Sequence, residues 1–208
     1  MIELWHCKDA RSLRALWTLE ELGLPYRLHL LTFPPRLSDP SFLTVNPLGT
    51  VPFLRDGATQ MTESSAITHY LAQKYGDGTL AVGPGDPAYG DFLNWLYHSD
   101  ATLTFPQTLI LRYGRFEPKD RRQPQVVADY TQWYLARLKL VNLRLEQAEW
   151  LCADRFTAAD IAVGYALYLG EILGLAEHYK PQTRAYLDRL TARAGFQRAN
   201  AQGETFAR

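Results

Sequence analysis

An α/β unit followed by an all-α helical bundle is the fold class this sequence predicts. Three observations carry the prediction. Strand-like and helix-like runs alternate through residues 1–76, glycine and proline crowd the stretch 77–88, and residues 89–208 carry helical periodicity alone. The reading is therefore of two domains joined by a linker. With 208 residues, the chain is long enough to bury a sizeable core without staples.

The α/β unit opens with a strand-like run, Ile2 to His6. Arg11 to Leu22 then places Leu13, Leu16, Trp17, Leu19 and Leu22 near helical spacing, and Gly23-Leu24-Pro25 stops the helix. Tyr26 to Thr32 alternates Tyr26, Leu28 and Leu30 against Arg27 and His29, which predicts a second strand parallel to the first, joined by a right-handed crossover. A Pro34-Pro35 loop leads to a brief helix over Ser41 to Val45. Two hairpin strands follow, Val51 to Leu54 and about Thr59 to Thr62, around the turn signal Arg55-Asp56-Gly57. The next helix, Ser64 to Tyr75, carries Ile67, Tyr70, Leu71 and Tyr75 on one face.

Past the linker, Asp91 to Tyr113 and Gln125 to Trp150 read as long helices, the second with Val127, Tyr130, Tyr134, Leu138, Val141 and Leu145 on one face. This pattern predicts a bundle. Phe156-Thr157-Ala158-Ala159-Asp160-Ile161 is a cap signal: Thr157 is the N-cap, Asp160 reaches back to its N–H, and Phe156 with Ile161 forms a hydrophobic staple. These residues are read as structural rather than catalytic. Gln182 to Ala194 makes a further helix, and the polar tail from Asn200 is expected to fray.

Composition narrows the function classes. Lys+Arg and Asp+Glu both number 22, so the formal net charge is zero, and no basic stripe points to nucleic acid or an anionic membrane. No apolar run reaches membrane-spanning length, and Met1-Ile2-Glu3-Leu4 lacks a signal-peptide pattern, so a cytoplasmic protein is expected. Cys7 and Cys152 lie far apart and are read as free thiols. The five histidines show no ligand spacing with Cys or carboxylates, so no metal is expected.

The chemistry gathers around Asn46-Pro47-Leu48-Gly49-Thr50-Val51-Pro52-Phe53-Leu54. A strand beginning at or beside Pro52 tolerates the missing donor, and an X-Pro bond is where a cis peptide is accessible. With Val51-Pro52 cis, the backbone N–H and C=O of Val51 would turn from the sheet toward an extended peptide ligand. One hairpin later, Glu63-Ser64-Ser65 opens a helix whose N–H groups and hydroxyls suit a carboxylate, while Glu63 suits an ammonium. The same residues are also ordinary choices for a first helical turn. Together the two segments describe a pocket for a short zwitterionic peptide.

Four segments in order resemble the cytosolic glutathione S-transferase family of bacterial type. Arg11 to Tyr26 is similar to the family's first helix and turn, Asn46 to Pro52 resembles its cis-proline loop, Glu63-Ser64 its glutamyl-binding pair, and Phe156 to Asp160 the capping box of its helical domain. The resemblance covers almost the whole chain and implies a thioredoxin-like N-terminal domain with an all-α C-terminal bundle. It implies that Val51 pairs with the cysteinyl part of glutathione, that Glu63 and Ser64 hold the γ-glutamyl end, and that Thr50 and Pro52 flank the ligand. It also implies a homodimer, with glutathione as co-substrate. At Thr50 many family members carry a lysine that meets the glycyl carboxylate, and Arg36 is the candidate substitute. The family's usual sulfur-activating position falls near Asp9, whose ionised carboxylate would repel a thiolate.

Three residues compete to activate sulfur. Cys7 comes first, since the helix N-terminus with Lys8 and Arg11 would lower its thiol pKa, although it also reads as a buried residue finishing the strand. Ser12 would donate its hydroxyl to a bound thiolate, and Arg11 would stabilise that thiolate by charge. Trp95, Tyr97, Phe105 and Tyr113 are candidates for an apolar pocket, or else bundle core. The leading expectation is a glutathione transferase acting on a small, apolar electrophile. The alternatives are a thiol-disulfide oxidoreductase using Cys7 and a non-catalytic binding module of the same fold.

Overall fold

A computed structural model describes residues 1–204. Met1–Ala81 together with the segment from Thr191 makes one compact unit, and Val82–Leu190 makes a second. The first is α/β and the second is helical. Among the described residues no helix is long and apolar enough to cross a membrane.

In the first unit four strands, β1 (Ile2–His6), β2 (Tyr26–Leu30), β3 (Phe53–Asp56) and β4 (Thr59–Met61), form a mixed sheet in the order β2-β1-β3-β4. β1 and β2 are parallel, from Ile2 opposite Tyr26 to His6 opposite Leu30. β3 runs antiparallel to both β1 and β4. The central strand β1 is largely buried and the edge strand β2 is not, which is why β2 alternates polar and apolar residues while β1 does not. On one face Trp5 stacks on His29 and meets Phe53 edge-on, with Phe42 completing that cluster.

α1 (Ser12–Leu22) is buried from Ser12 through Leu19, all round rather than on one stripe. It packs against β1, against α3 (Ser64–Tyr75) and against α9 (Ala194–Asn200). The Gly23-Leu24 stop is a paired C-cap, Gly23 N–H donating to Glu20 O and Leu24 N–H to Leu19 O.

Several sequence expectations shift. β3 begins at Phe53, two residues after Val51. The proline loop contains a short helix, α2 (Pro35–Ser38), and the segment expected as a helix over 41–45 is a 3₁₀ turn at Pro40–Thr44. The helix predicted over 182–194 ends at Thr191 as α8 (Pro181–Thr191), and a further helix that the sequence did not suggest, α9, runs up to Asn200, where the expected polar tail begins; residues 205–208 of that tail lie outside the described residues.

The second unit contains α4 (Tyr89–Tyr97), α5 (Phe105–Leu111), α6 (Pro124–Leu145), α7 (Ala158–Ile172) and α8. The helix expected over 91–113 is broken by a π-helical segment, His98–Thr104, and followed by another, Arg112–Phe116. Pro106, in the first turn of α5, lacks an N–H for a continuous ladder. α6 stops at Leu145, short of Trp150, because the chain folds back: Arg144 Nε donates to Trp150 O, and the Trp150 ring packs on Phe156 and Tyr186. α7 is buried over most of its length. It starts in the expected capping box: Ala159 N–H donates to Thr157 Oγ1, and Thr157 N–H donates to Asp160 Oδ2 at 2.8 Å.

Candidate functional site

The pairing registers bring the chemically suggestive residues of the first unit to one end of the sheet. Trp5 lies opposite Phe53 and Leu54 opposite Met61. These antiparallel pairs put the end of β1, the chain entering β3 and the end of β4 at the same end of the sheet. α1 leaves β1 at this end and α3 leaves β4 there, so two helix N-termini share it. The helices are stitched in parallel: Arg14 Nη1 donates to Ser64 Oγ at 3.0 Å, and the Thr18 and Thr68 hydroxyl oxygens lie 3.2 Å apart one turn on.

The loop before β3 is braced from within. Asn46 Nδ2 donates to Thr50 O at 2.8 Å, and Leu48 N–H to Asn46 Oδ1. Gly49 has a φ of 58°, and a Cβ there would come within 2.7 Å of Arg36 Cβ and 2.9 Å of Leu43 Cδ2, so both backbone and space demand glycine. The Val51-Pro52 bond is cis, as is Phe33-Pro34, and the Val51 backbone takes no hydrogen-bond partner among the described residues. Thr50 and the Arg36 side chain are exposed. Glu63 is exposed too, and its side chain does not cap α3. Ser64, the first residue of α3, is buried.

At the end of β1 the electrostatics run opposite to the sequence expectation for Cys7. The residue is 1% exposed, and burial pushes its thiol up to about 12 rather than down. Nearness in sequence to Lys8 and Arg11 does not offset the cost of an ionised sulfur away from water. Ser12 is also wholly buried. Its Oγ accepts from Cys7 N–H at 3.3 Å, donates to Cys7 O at 3.2 Å, and lies 2.8 Å from His6 Nδ1. That hydroxyl is committed to its own loop. His6 is buried as well; desolvation and then the Lys8 charge lower its pKa to about 4, so it is neutral at neutral pH, and its Nε2 has no partner among the described residues. Arg11, half-buried, stands directly before α1.

The four aromatic candidates in the second unit do not form one cluster. Trp95 is core and meets His98 edge-on, whereas Tyr97 is 70% exposed. Phe105 packs edge-on to Tyr130, which stacks on Trp133, and the Arg112 guanidinium lies over Tyr113. Among the described residues no three His, Cys, Asp or Glu side chains group as metal ligands would.

Sequence reasoning assigned no individual role to Arg14 or His6, and named Asn46 only as part of the proline loop. The detectable signal for Arg14 was an arginine one turn before Thr18 on a helix that a βαβ unit must cover; the cover from α3 and α9 comes from chain too distant in sequence to be read.

Residues 8–80 match the family described as Glutathione S-transferase, N-terminal domain. Over 199 residues the chain is 31% identical to Glutathione S-transferase GstB of Escherichia coli strain K12, an alignment spanning 93% of this chain and 94% of that protein. Among solved structures, a glutathione transferase from Methylococcus capsulatus strain Bath shares 26% identity at a TM-score of 0.84, covering 97% of this chain and 98% of that one. The theta class glutathione S-transferase of Xanthomonas axonopodis pv. citri, solved with glutathione bound, shares 26% identity at a TM-score of 0.79, covering 98% and 99%.

Proposed function

Because this chain belongs to the glutathione S-transferase family, we propose that its first unit binds glutathione and presents the thiolate to a small apolar electrophile. The observation that supports the reading is that the cis Val51-Pro52 bond directly before β3 and Ser64 at the start of α3 lie at the same end of the sheet. An extended tripeptide would pair its cysteinyl amide with Val51. Its γ-glutamyl carboxylate would take the Ser64 hydroxyl and the first N–H groups of α3, and its ammonium would face Glu63. Thr50 and Pro52 border the peptide, and the exposed Arg36 beside Gly49 is offered to the glycyl carboxylate in place of the family's lysine.

The glutathione sulfur then lies toward the start of α1. There the helix dipole and the Arg11 guanidinium favour the thiolate over the thiol, and the proton leaves to solvent. The thiolate attacks the electrophilic carbon, a C–S bond forms, and the leaving group departs with the bonding pair. Burial and the raised pKa of Cys7 argue against thiol transfer through that residue, and the committed hydroxyl argues against Ser12 as the direct donor. Of the four aromatic candidates in the second unit, Tyr97 and Phe105 are the exposed ones. A second copy of the chain and a cytoplasmic setting complete the reading, by analogy with the family.

Calorimetric titration with glutathione, paired with a spectrophotometric assay of glutathione conjugation to an activated aryl chloride, tests it. Saturable binding and enzymatic thioether formation are expected. Arg11→Ala lowers kcat/KM on the order of tenfold and moves the pH–rate profile upward, because the thiolate loses a positive neighbour. Absence of glutathione binding by the intact protein would sink the proposal.

A further inference from the structure

Arg14 lies in the first turn of α1, wholly buried, and donates through Nη1 to Ser64 Oγ at 3.0 Å. A guanidinium carries donors only, so at this contact the serine oxygen accepts. The single proton of the Ser64 hydroxyl is thereby left to point elsewhere. Ser64 is also the first residue of a 12-residue helix whose leading N–H groups have no partner inside the helix. The arrangement is held from both sides: Thr18 Oγ1 donates to Arg14 O at 2.8 Å and also approaches Thr68, which fixes the arginine's own turn against α3.

We propose that Arg14 is a positioning residue for anion recognition, orienting the Ser64 hydroxyl as a donor. Resting on the glutathione reading above, this assigns Arg14 to discrimination in favour of ligands that carry the γ-glutamyl carboxylate. The arginine does not touch the ligand. It acts through the serine.

The test compares glutathione with cysteinylglycine, which lacks the γ-glutamyl group, by calorimetry on the full chain. Arg14→Lys, Arg14→Gln and Ser64→Ala are each expected to weaken glutathione binding on the order of tenfold and to leave cysteinylglycine binding unchanged. In steady-state kinetics KM for glutathione rises while KM for the electrophile holds. In a Ser64→Ala background, Arg14→Lys adds less than it does alone, because the two residues act on one hydroxyl. A structural role would instead weaken both ligands alike, or give fully additive effects, and either result overturns the proposal, as does unchanged glutathione binding in the Arg14 variants. Should Arg14→Lys not fold, Arg14→Gln, which keeps a donor but loses the charge, carries the same comparison. A wild-type chain that fails to bind glutathione removes the parent reading and this one with it; wild-type binding with equal losses for both ligands removes only this one.

Discussion

Cys7 and Ser12 stand at the two ends of one turn, and the serine closes it by bonding both the N–H and the C=O of the cysteine. The Ser12 hydroxyl therefore fastens the turn, with the Cys7 side chain buried beside it. Cys7→Ser, which keeps a small side chain, is expected to conjugate glutathione with kcat/KM close to that of the parent, measured in the aryl chloride assay; loss of activity would return the cysteine to the mechanism. His6 gives this end of the sheet a pH signature. Its pKa falls from 6.5 in the unfolded chain to about 4 in the fold, so between those values the unfolded state binds more protons. Stability is then complete above about 6.5 and declines as pH falls toward 4, by about 3 kcal/mol from this group. His69 and His98 are lowered too and act in the same direction. Thermal melts from pH 7 to pH 4 should show a steeper fall in Tm for the parent than for His6→Gln.

Among the elements, α7 shows how a local signal can be recruited by tertiary structure. Its capping box was legible because Thr157 and Asp160 have the required spacing. The structure adds two long-range partners, since Asp160 Oδ1 also accepts from Tyr186 OH at 2.7 Å and Leu151 N–H at 3.1 Å. Burial raises the Asp160 pKa and these donors oppose the rise. Thr157→Ala should cost about 1 kcal/mol in urea unfolding, and Asp160→Ala about 3 kcal/mol, because it strands several buried donors rather than one. Farther along the helix, Gly170 faces the Tyr134 and Tyr179 hydroxyls, which bond each other. A Cβ there would overlap the Tyr179 oxygen, so Gly170→Ala is expected to destabilise by about 2 kcal/mol, read in the same experiment. The π-helical segments around α5 had no counterpart in the sequence reading, because apolar periodicity near 3.6 does not distinguish an α ladder from one shifted by a residue.

At the scale of the whole molecule, the chain returns after residue 190 to its starting unit. Phe196 meets Trp17 edge-on at 5.0 Å, Arg193 grips Glu21 with two bonds of 2.8 Å, and Arg198 pairs with Glu20. Phe196→Ala should therefore destabilise the α/β unit by about 3 to 5 kcal/mol, seen as a lower midpoint in tryptophan-monitored denaturation. An unchanged midpoint would mean that α9 is dispensable. Local pattern by itself determined β1, α1, β2, the hairpin, α3 and the α7 cap to within a few residues, and the proline loop with its family resemblance, because these depend on neighbours within a turn or a pleat. Tertiary structure alone decided that Arg14 supports Ser64, that Cys7 and Ser12 are buried, and that α9 covers α1. Those outcomes depend on which distant segments exclude water from a side chain, and desolvation leaves no trace in local spacing.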